Sequence, residues 1–331
     1  MYGQRMDDER PLGTIQVDVD DLWVYYESIG RQTPAEARPA AFEQGLQRLL
    51  GLFDRFGIRA TFFVCGRDAA TQGATIRELI GRGHDVANHS LAHRNGFARL
   101  SPAEKAADIA AAGEQLAAVT GERPVGFKAP GFSFSPDLPG VLAELGYLYD
   151  SSLLPTFYAP AMRLAQRWLL RTVHFPAGGH VDPTHYGSAR NGLAPLSPFR
   201  ISDFGFRIRP RRRMASGLQS AIRNPQSFWE APVTTMPFLR LPMHSTFVLS
   251  AGRWLFDLGL ALAQARRVPI NYLLHAADVV DAVSDPALAS YRFLTQPWEK
   301  KRPLYEHLLE RLSATYRLVP TRELVNVTRD A

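Results

Sequence analysis

Short apolar runs rich in β-branched and aromatic residues alternate with helix-patterned stretches from Thr14 to Asp150, and this alternation confines the chain to an α/β fold built on parallel strands. The expected strands are Thr14 to Val19, Arg59 to Val64, His84 to Asn88, Val125 to Ala129 and Leu148 to Asp150. After the first of them, Thr33-Pro34-Ala35-Glu36 has the form of a capping box with proline at the first helical position. Phe42, Leu46, Leu49, Leu50, Phe53 and Phe56 then recur at helical spacing until Gly57 stops the helix. A short helix is expected over Thr75 to Gly81. Ser101-Pro102-Ala103-Glu104 is a second capping box, opening an alanine-rich helix that ends near Val119, and Ser135-Pro136 marks another helix start.

From Pro155 to Ser227 the pattern blurs into many prolines and glycines, with one short amphipathic stretch from Met162 to Leu170. Regular signal returns as a strand at Trp229 to Thr235, a helix from Gly252 to Arg266, a strand at Ile270 to Leu274, a helix from Leu304 to Thr315 and a strand at Tyr316 to Val319. We therefore expect residues 1–331 to form a single catalytic-type domain, with 155–227 as an irregular insertion or cap within it. Apolar residues make up 46% of the chain, enough for a full core. The one cysteine, Cys65, follows the apolar run from Ala60 to Val64 and reads as a buried, inert thiol.

The formal net charge of +6 is unevenly placed: between Leu154 and Gln226 eleven arginines face Asp182 and Asp203, a balance of +9 that leaves about −3 for the remainder. The run from Arg207 to Arg213 fits a solvated loop, or contact with phosphate, an anionic membrane or nucleic acid. No helix-turn-helix, zinc finger or aromatic-basic ribonucleoprotein motif accompanies it, so a nucleic-acid partner is not expected. The polar start of the chain carries no apolar leader, and no run of about 18 uncharged apolar residues occurs, so the expected compartment is the cytoplasm. Oligomeric state is not legible.

Four polar groups stand where expected strands end. Asp18, Asp20 and Asp21 close the first strand, and acids so crowded repel one another unless a cation sits among them. His89 and His93 follow the third strand, about one helical turn apart, so that both imidazoles can face one point. Lys128-Ala129-Pro130-Gly131 is a strand running into a turn whose backbone N–H groups can meet a developing oxyanion. His275 ends an apolar strand, with Asp278 three residues on. Taken singly, each also reads as a cap, a turn or an ordinary loop residue. Catalytic groups in barrel-like α/β folds gather at the C-terminal ends of strands, and all four groups have that position. Two histidines and a carboxylate make a metal site with open positions, a further carboxylate can serve as general base, and a distal histidine as general acid: the set needed to hydrolyse an amide or ester.

Together these motifs resemble the NodB-homology polysaccharide deacetylases, carbohydrate esterase family 4. The resemblance lies in Val19-Asp20-Asp21, Ala60-Thr61-Phe62-Phe63-Val64, Gly83-His84-Asp85, His89-Ser90-Leu91-Ala92-His93, Lys128-Ala129-Pro130 and Leu273-Leu274-His275, and spans roughly Ile15 to Asp150 and Trp229 to Asp278. It implies a distorted (β/α) barrel of about seven strands and a divalent metal, Zn2+ by preference, held by His89, His93 and one aspartate. Another aspartate would be the base, His275 the acid, and the N–H of Gly131 part of the oxyanion hole. Two registers stay open for the acids. In the commoner family spelling Asp20 is the base and Asp21 the ligand. In a subgroup spelled Val-Asp-x-Asp, Asp18 is the base and Asp20 the ligand, an arrangement strand alternation favours. Lys128 stands where the family has an arginine that orients the base, keeping the charge without the fork geometry. The usual tryptophan-containing acid motif is replaced by Tyr149-Asp150-Ser151-Ser152.

The implied activity is removal of an N-acetyl or other N-acyl group from an amino sugar. The basic insertion points to a phosphate-bearing substrate, lipid-linked or nucleotide-linked, with Arg207–Arg213 touching an anionic membrane at its inner face. The rivals are a formamido-sugar deformylase or allantoinase-like amide hydrolase of the same fold, and a catalytically silent sugar-binding module.

Overall fold

A computed structural model describes residues 10–156, 194–196 and 228–329. The expected helix at Met162 to Leu170, the arginine run and nearly all of the expected insertion lie outside these residues. Among the described residues nine strands form one sheet: β1 (Leu12–Asp18), β2 (Thr61–Val64), β3 (Asp85–Asn88), β4 (Gly126–Phe127), β5 (Tyr149–Asp150), β6 (Ala194–Leu196), β7 (Phe228–Glu230), β8 (Ile270–His275) and β9 (Arg317–Leu318). Their order is β6-β7-β5-β4-β3-β2-β1-β8, with β9 added beside β1. Every pairing is parallel except β6 against β7. Seven parallel strands thus run from β7 to β8 in a curled sheet with helices packed around it, the distorted (β/α) barrel. The segment after β7 draws the two ends together: Thr234 N–H donates to the Asn271 carbonyl (2.9 Å), and the Asn271 side chain donates to the Ala231 carbonyl (2.7 Å).

Burial explains why the central strands read as nearly continuous apolar runs: parallel strands covered on both faces leave no solvent side. Ile15, Val17, Phe62, Val64, Tyr272 and Leu274 are buried in the main core with Leu49, Phe53 and Leu309 from the surrounding helices. The polar residues on the strands are satisfied inside the barrel, where the Ser151 hydroxyl donates to Gln16 and Gln16 donates to Thr321.

The helices are α1 (Leu22–Ser28), α2 (Gln47–Phe56), α3 (Gly66–Gly81), α4 (Pro102–Thr120), α5 (Leu138–Glu144), α6 (Ser245–Ala251), α7 (Arg253–Ala265), α8 (Trp298–Thr315) and α9 (Thr321–Arg329). At the start of α4 the Ser101 and Glu104 capping box forms reciprocally, as expected. The box at Thr33–Glu36 does not form, and that stretch is loop. Pro39 disfavours a helical Arg38 before it, so no helix begun at residue 34 can pass this point. A six-residue π-helical turn, Ala41–Leu46, leads into α2 instead. The short helix expected at Thr75 is the second half of α3, whose first half is masked in the sequence by Gly66 and Gly73. Gly66 is there for packing: a Cβ on it would lie 2.6 Å from Ala112 Cα of α4. Beyond these, α1, α6 and α9 carried no clear helical signal.

Candidate active site

Asp18 ends β1 and Asp20 follows two residues later, so both carboxylates emerge on one face; each is buried. His89 comes directly after β3 and its Nδ1 donates to the Lys128 carbonyl (2.8 Å), which fixes the tautomer and leaves the Nε2 lone pair facing the acids. The chain then turns sharply, with Ser90 (φ 69°) and His93 (φ 45°) in the left-handed region. Such backbone costs about 1–3 kcal/mol per residue and is held here by local bonds. Ser90 N–H donates to Asn88 Oδ1 (2.8 Å) and His93 N–H to Ser90 Oγ (3.0 Å). This bend brings the two imidazoles together, with ring centroids 5.1 Å apart.

Asp20 Oδ1 lies 3.5 Å from Nε2 of both His89 and His93, and the ligand atoms of this trio all fall within 4.8 Å of one another. Two ligands bound at about 2.0–2.1 Å to a tetrahedral ion stand about 3.4 Å apart, so the spacing is that of a zinc-type site. Asp20 Oδ1 and His89 Nε2 are buried and make no hydrogen bond. Burial pushes both imidazoles down, His93 to about 4, so they are neutral lone-pair donors. Burial also raises the Asp20 carboxyl, the mark of a carboxylate missing a countercharge. The donor set therefore fits a divalent cation.

Asp21 is not in this cluster. It stands at the N-cap of α1, and its Oδ1 accepts from the Ala41 N–H (2.9 Å). In this geometry it is Asp20 that stands with His89 and His93, while Asp21 is engaged by the Ala41 N–H. Asp18 occupies the other position. Its Oδ1 accepts from Lys128 Nζ (2.8 Å), and its Oδ2 is 3.9 Å from His275 Nε2 and 4.0 Å from His89 Nε2. Burial opposes its ionisation, but its charged neighbours, Lys128 foremost, outweigh that and hold the carboxyl below its ordinary value. Lys128, 1% exposed, sits over the Phe63 ring (4.3 Å).

His275 closes the far side of the site at the end of β8. Thr246 Oγ1 lies 3.0 Å from its Nδ1 and donates to Asp278 (2.9 Å), which also accepts from Ser245. Burial lowers the imidazole, but the Asp278 carboxylate beside it prevails and raises it to about 9. His275 therefore carries a proton at neutral pH, with Nε2 facing Asp18. Gly131 (φ 57°) and Phe132 (φ 57°) form a left-handed turn after Pro130, and Ser152 Oγ supports that turn by accepting from Ala129 N–H (2.8 Å).

The structure adds residues that sequence reasoning passed over. Ser245 and Thr246 hold the His275–Asp278 pair from α6, and nothing in their spacing announced it. His244 packs its ring 6.0 Å from that of His275, also meeting Phe132 and Phe247. Burial lowers it to about 3, which makes it a neutral wall of the site. A lone histidine after Leu241-Pro242-Met243 carries no partner at a telling interval.

The polysaccharide deacetylase family matches residues 34–149. Among curated proteins, a peptidoglycan deacetylase of Helicobacter pylori is 29% identical over 156 residues, covering 46% of this chain and 53% of that protein. The peptidoglycan deacetylase-like protein FGM2 of Gibberella zeae is 32% identical over 111 residues, covering 33% of this chain and 32% of its own length. The chain thus spans about half, or less, of the curated relatives it matches. Among solved structures, a protein of the polysaccharide deacetylase type from Mycobacterium smegmatis aligns over 98% of this chain and 92% of its own with a TM-score of 0.60 at 17% identity. The Puue allantoinase aligns over 97% of this chain and 91% of its own with a TM-score of 0.55 at 12% identity. At such identities the structural likeness speaks for the fold. Residues 34–149, which carry β2 to β4 and reach β5, are thus similar to the polysaccharide deacetylases, and the fold around them is the one these solved structures share.

Proposed function

We propose that this protein is a metal-dependent amidohydrolase that removes an N-acyl group, acetyl in the first instance, from an amino sugar. The observation that carries this reading is the placement of a lysine-paired carboxylate, Asp18, between the Asp20/His89/His93 trio and a protonated His275. Asp20, His89 and His93 would hold the ion, with Zn2+ the first candidate. Bound there, a divalent cation supplies Lewis acidity to water and to the acyl oxygen. Asp18, ionised with Lys128 beside it, takes the proton of the attacking water. As that oxygen bonds to the acyl carbon, the Gly131 N–H faces the developing oxyanion. His275 then gives its Nε2 proton to the departing nitrogen while the C–N bond breaks, releasing a free amine and a carboxylate. The Thr246 and Asp278 contacts hold His275 in its charged form until that step.

The arginine-rich stretch supports a substrate that bears phosphate, lipid-linked or nucleotide-linked, at the cytoplasmic membrane face. A mass-spectrometric screen of free and lipid-linked N-acyl sugars tests the reading, with loss of an acetyl group expected and His89→Ala as the inactive control. Loss of a formyl group would assign the chain to formamido sugars, and an unchanged panel would leave a sugar-binding module.

A further inference from the structure

Four of the six large apolar side chains exposed among the described residues belong to one stretch: Phe238 (66%), Leu239 (47%), Trp254 (62%) and Leu258 (43%). Trp254 and Leu258 are four apart on α7, and the exposed Ala261 and Ala265 continue the same stripe at helical spacing. At the end of the helix the Arg266 guanidinium lies 4.7 Å from the Phe238 ring, which joins the Phe238–Leu239 turn to the stripe. That turn is not relaxed: Phe238 (φ 65°) and Arg240 (φ 49°) both hold left-handed backbone, at about 1–3 kcal/mol each, and the result is an aromatic ring presented to solvent. A helix on the outside of a barrel would ordinarily show a charged outer face.

The charges within this segment are mostly positive. Between Met236 and Val268 there are four arginines, Arg240, Arg253, Arg266 and Arg267, against one carboxylate, Asp257. Asp257 is already engaged by His307 Nε2 (2.7 Å) and Arg253 (3.4 Å). Tryptophan, phenylalanine and leucine ringed by arginine is the composition of a surface that sits in the headgroup layer of an anionic bilayer, with apolar groups reaching the acyl boundary and guanidinium groups on lipid phosphates. A second copy of the chain docked on the same stripe would instead set arginines against arginines.

We infer that the α7 stripe and the Phe238–Leu239 turn form a peripheral docking surface for an anionic lipid membrane. This surface is built from residues 238–265, and the inference does not depend on the hydrolytic reading.

Flotation of the full chain with vesicles of phosphatidylcholine alone and of phosphatidylcholine with phosphatidylglycerol tests it, alongside the Phe238→Ser/Trp254→Ser variant. These side chains are exposed, so the variant keeps its fold, which its thermal melt verifies. The wild type is expected to float with the anionic vesicles, and the variant to partition at least about tenfold less. Arg266→Ser/Arg267→Ser is expected to lose the preference for anionic lipid. A wild-type protein that stays unbound overturns the inference, as does a double variant that floats equally well. A wild-type dimer that the double variant breaks would assign the stripe to self-association and overturn it too. Acetate release from a soluble N-acetylated sugar reads the hydrolytic proposal separately.

Discussion

Replacing Asp278 by asparagine tests how the site keeps its acid charged. In the wild type the buried Asp278 carboxylate is what raises His275 to about 9, against a burial effect that pulls the imidazole down. Asparagine keeps the shape and still offers an acceptor to Ser245 and Thr246, but removes the charge. Asp18, 3.9 Å away, remains, as does the neutral His244, so the imidazole falls toward its ordinary value of about 6.5. The fall costs His275 nearly nothing at pH 6, where both forms stay mostly protonated. At pH 8 the protonated fraction drops from about nine-tenths to about 3%, so kcat/KM should fall about thirtyfold. The assay is acetate release from N-acetylglucosamine oligomers between pH 5.5 and 9.5, with the His275 ring followed by NMR over the same range. The alkaline limb should move down by about 2.5 pH units. An unmoved limb near pH 9, or a defect equal at every pH, would refute the assignment of His275 as an acid charged by Asp278.

Two further outcomes follow from contacts in and beside the site. Lys128→Met leaves the buried Asp18 without its cation, so it should destabilise the fold by about 3–5 kcal/mol in urea denaturation and move the acid limb of kcat/KM to higher pH, whereas Lys128→Arg keeps the charge and most of the activity. Gly45→Ala should cost about 1–3 kcal/mol in the same denaturation experiment and lower kcat, because a Cβ there would meet the Ala276 carbonyl oxygen at 2.4 Å and press on the residue next to His275.

The acids show how far the sequence could be read. Strand alternation already put Asp18 and Asp20 on one face, yet the spelling Val19-Asp20-Asp21 supported the neighbouring pair about as well. The difference was made by Ala41, whose N–H takes the Asp21 carboxylate, a contact across 20 positions that no local pattern records. Lys128 and Asp18 likewise meet across 110 positions. β1, β2, β3 and β8 were legible because each is a buried run between breakers. Helix starts were less so: the Thr33 box was chemically plausible and lost to Pro39, while Leu22 to Ser28, rich in aromatic and β-branched residues, carried no helix-favouring composition. Thr246 and His244 acquire their roles only through packing against His275, which lies about 30 positions further along the chain.

The metal content of the wild type, Asp18→Asn, Asp20→Asn and Asp21→Asn proteins, measured by mass spectrometry after equilibration with zinc, bears most directly on the site. If Asp20 joins His89 and His93 as the ligand and Asp18 is the base, the wild type, Asp18→Asn and Asp21→Asn retain about one ion per chain and Asp20→Asn loses it. Retention of the ion in Asp20→Asn with its loss in Asp21→Asn, or a wild type that takes up no metal, would contradict the account.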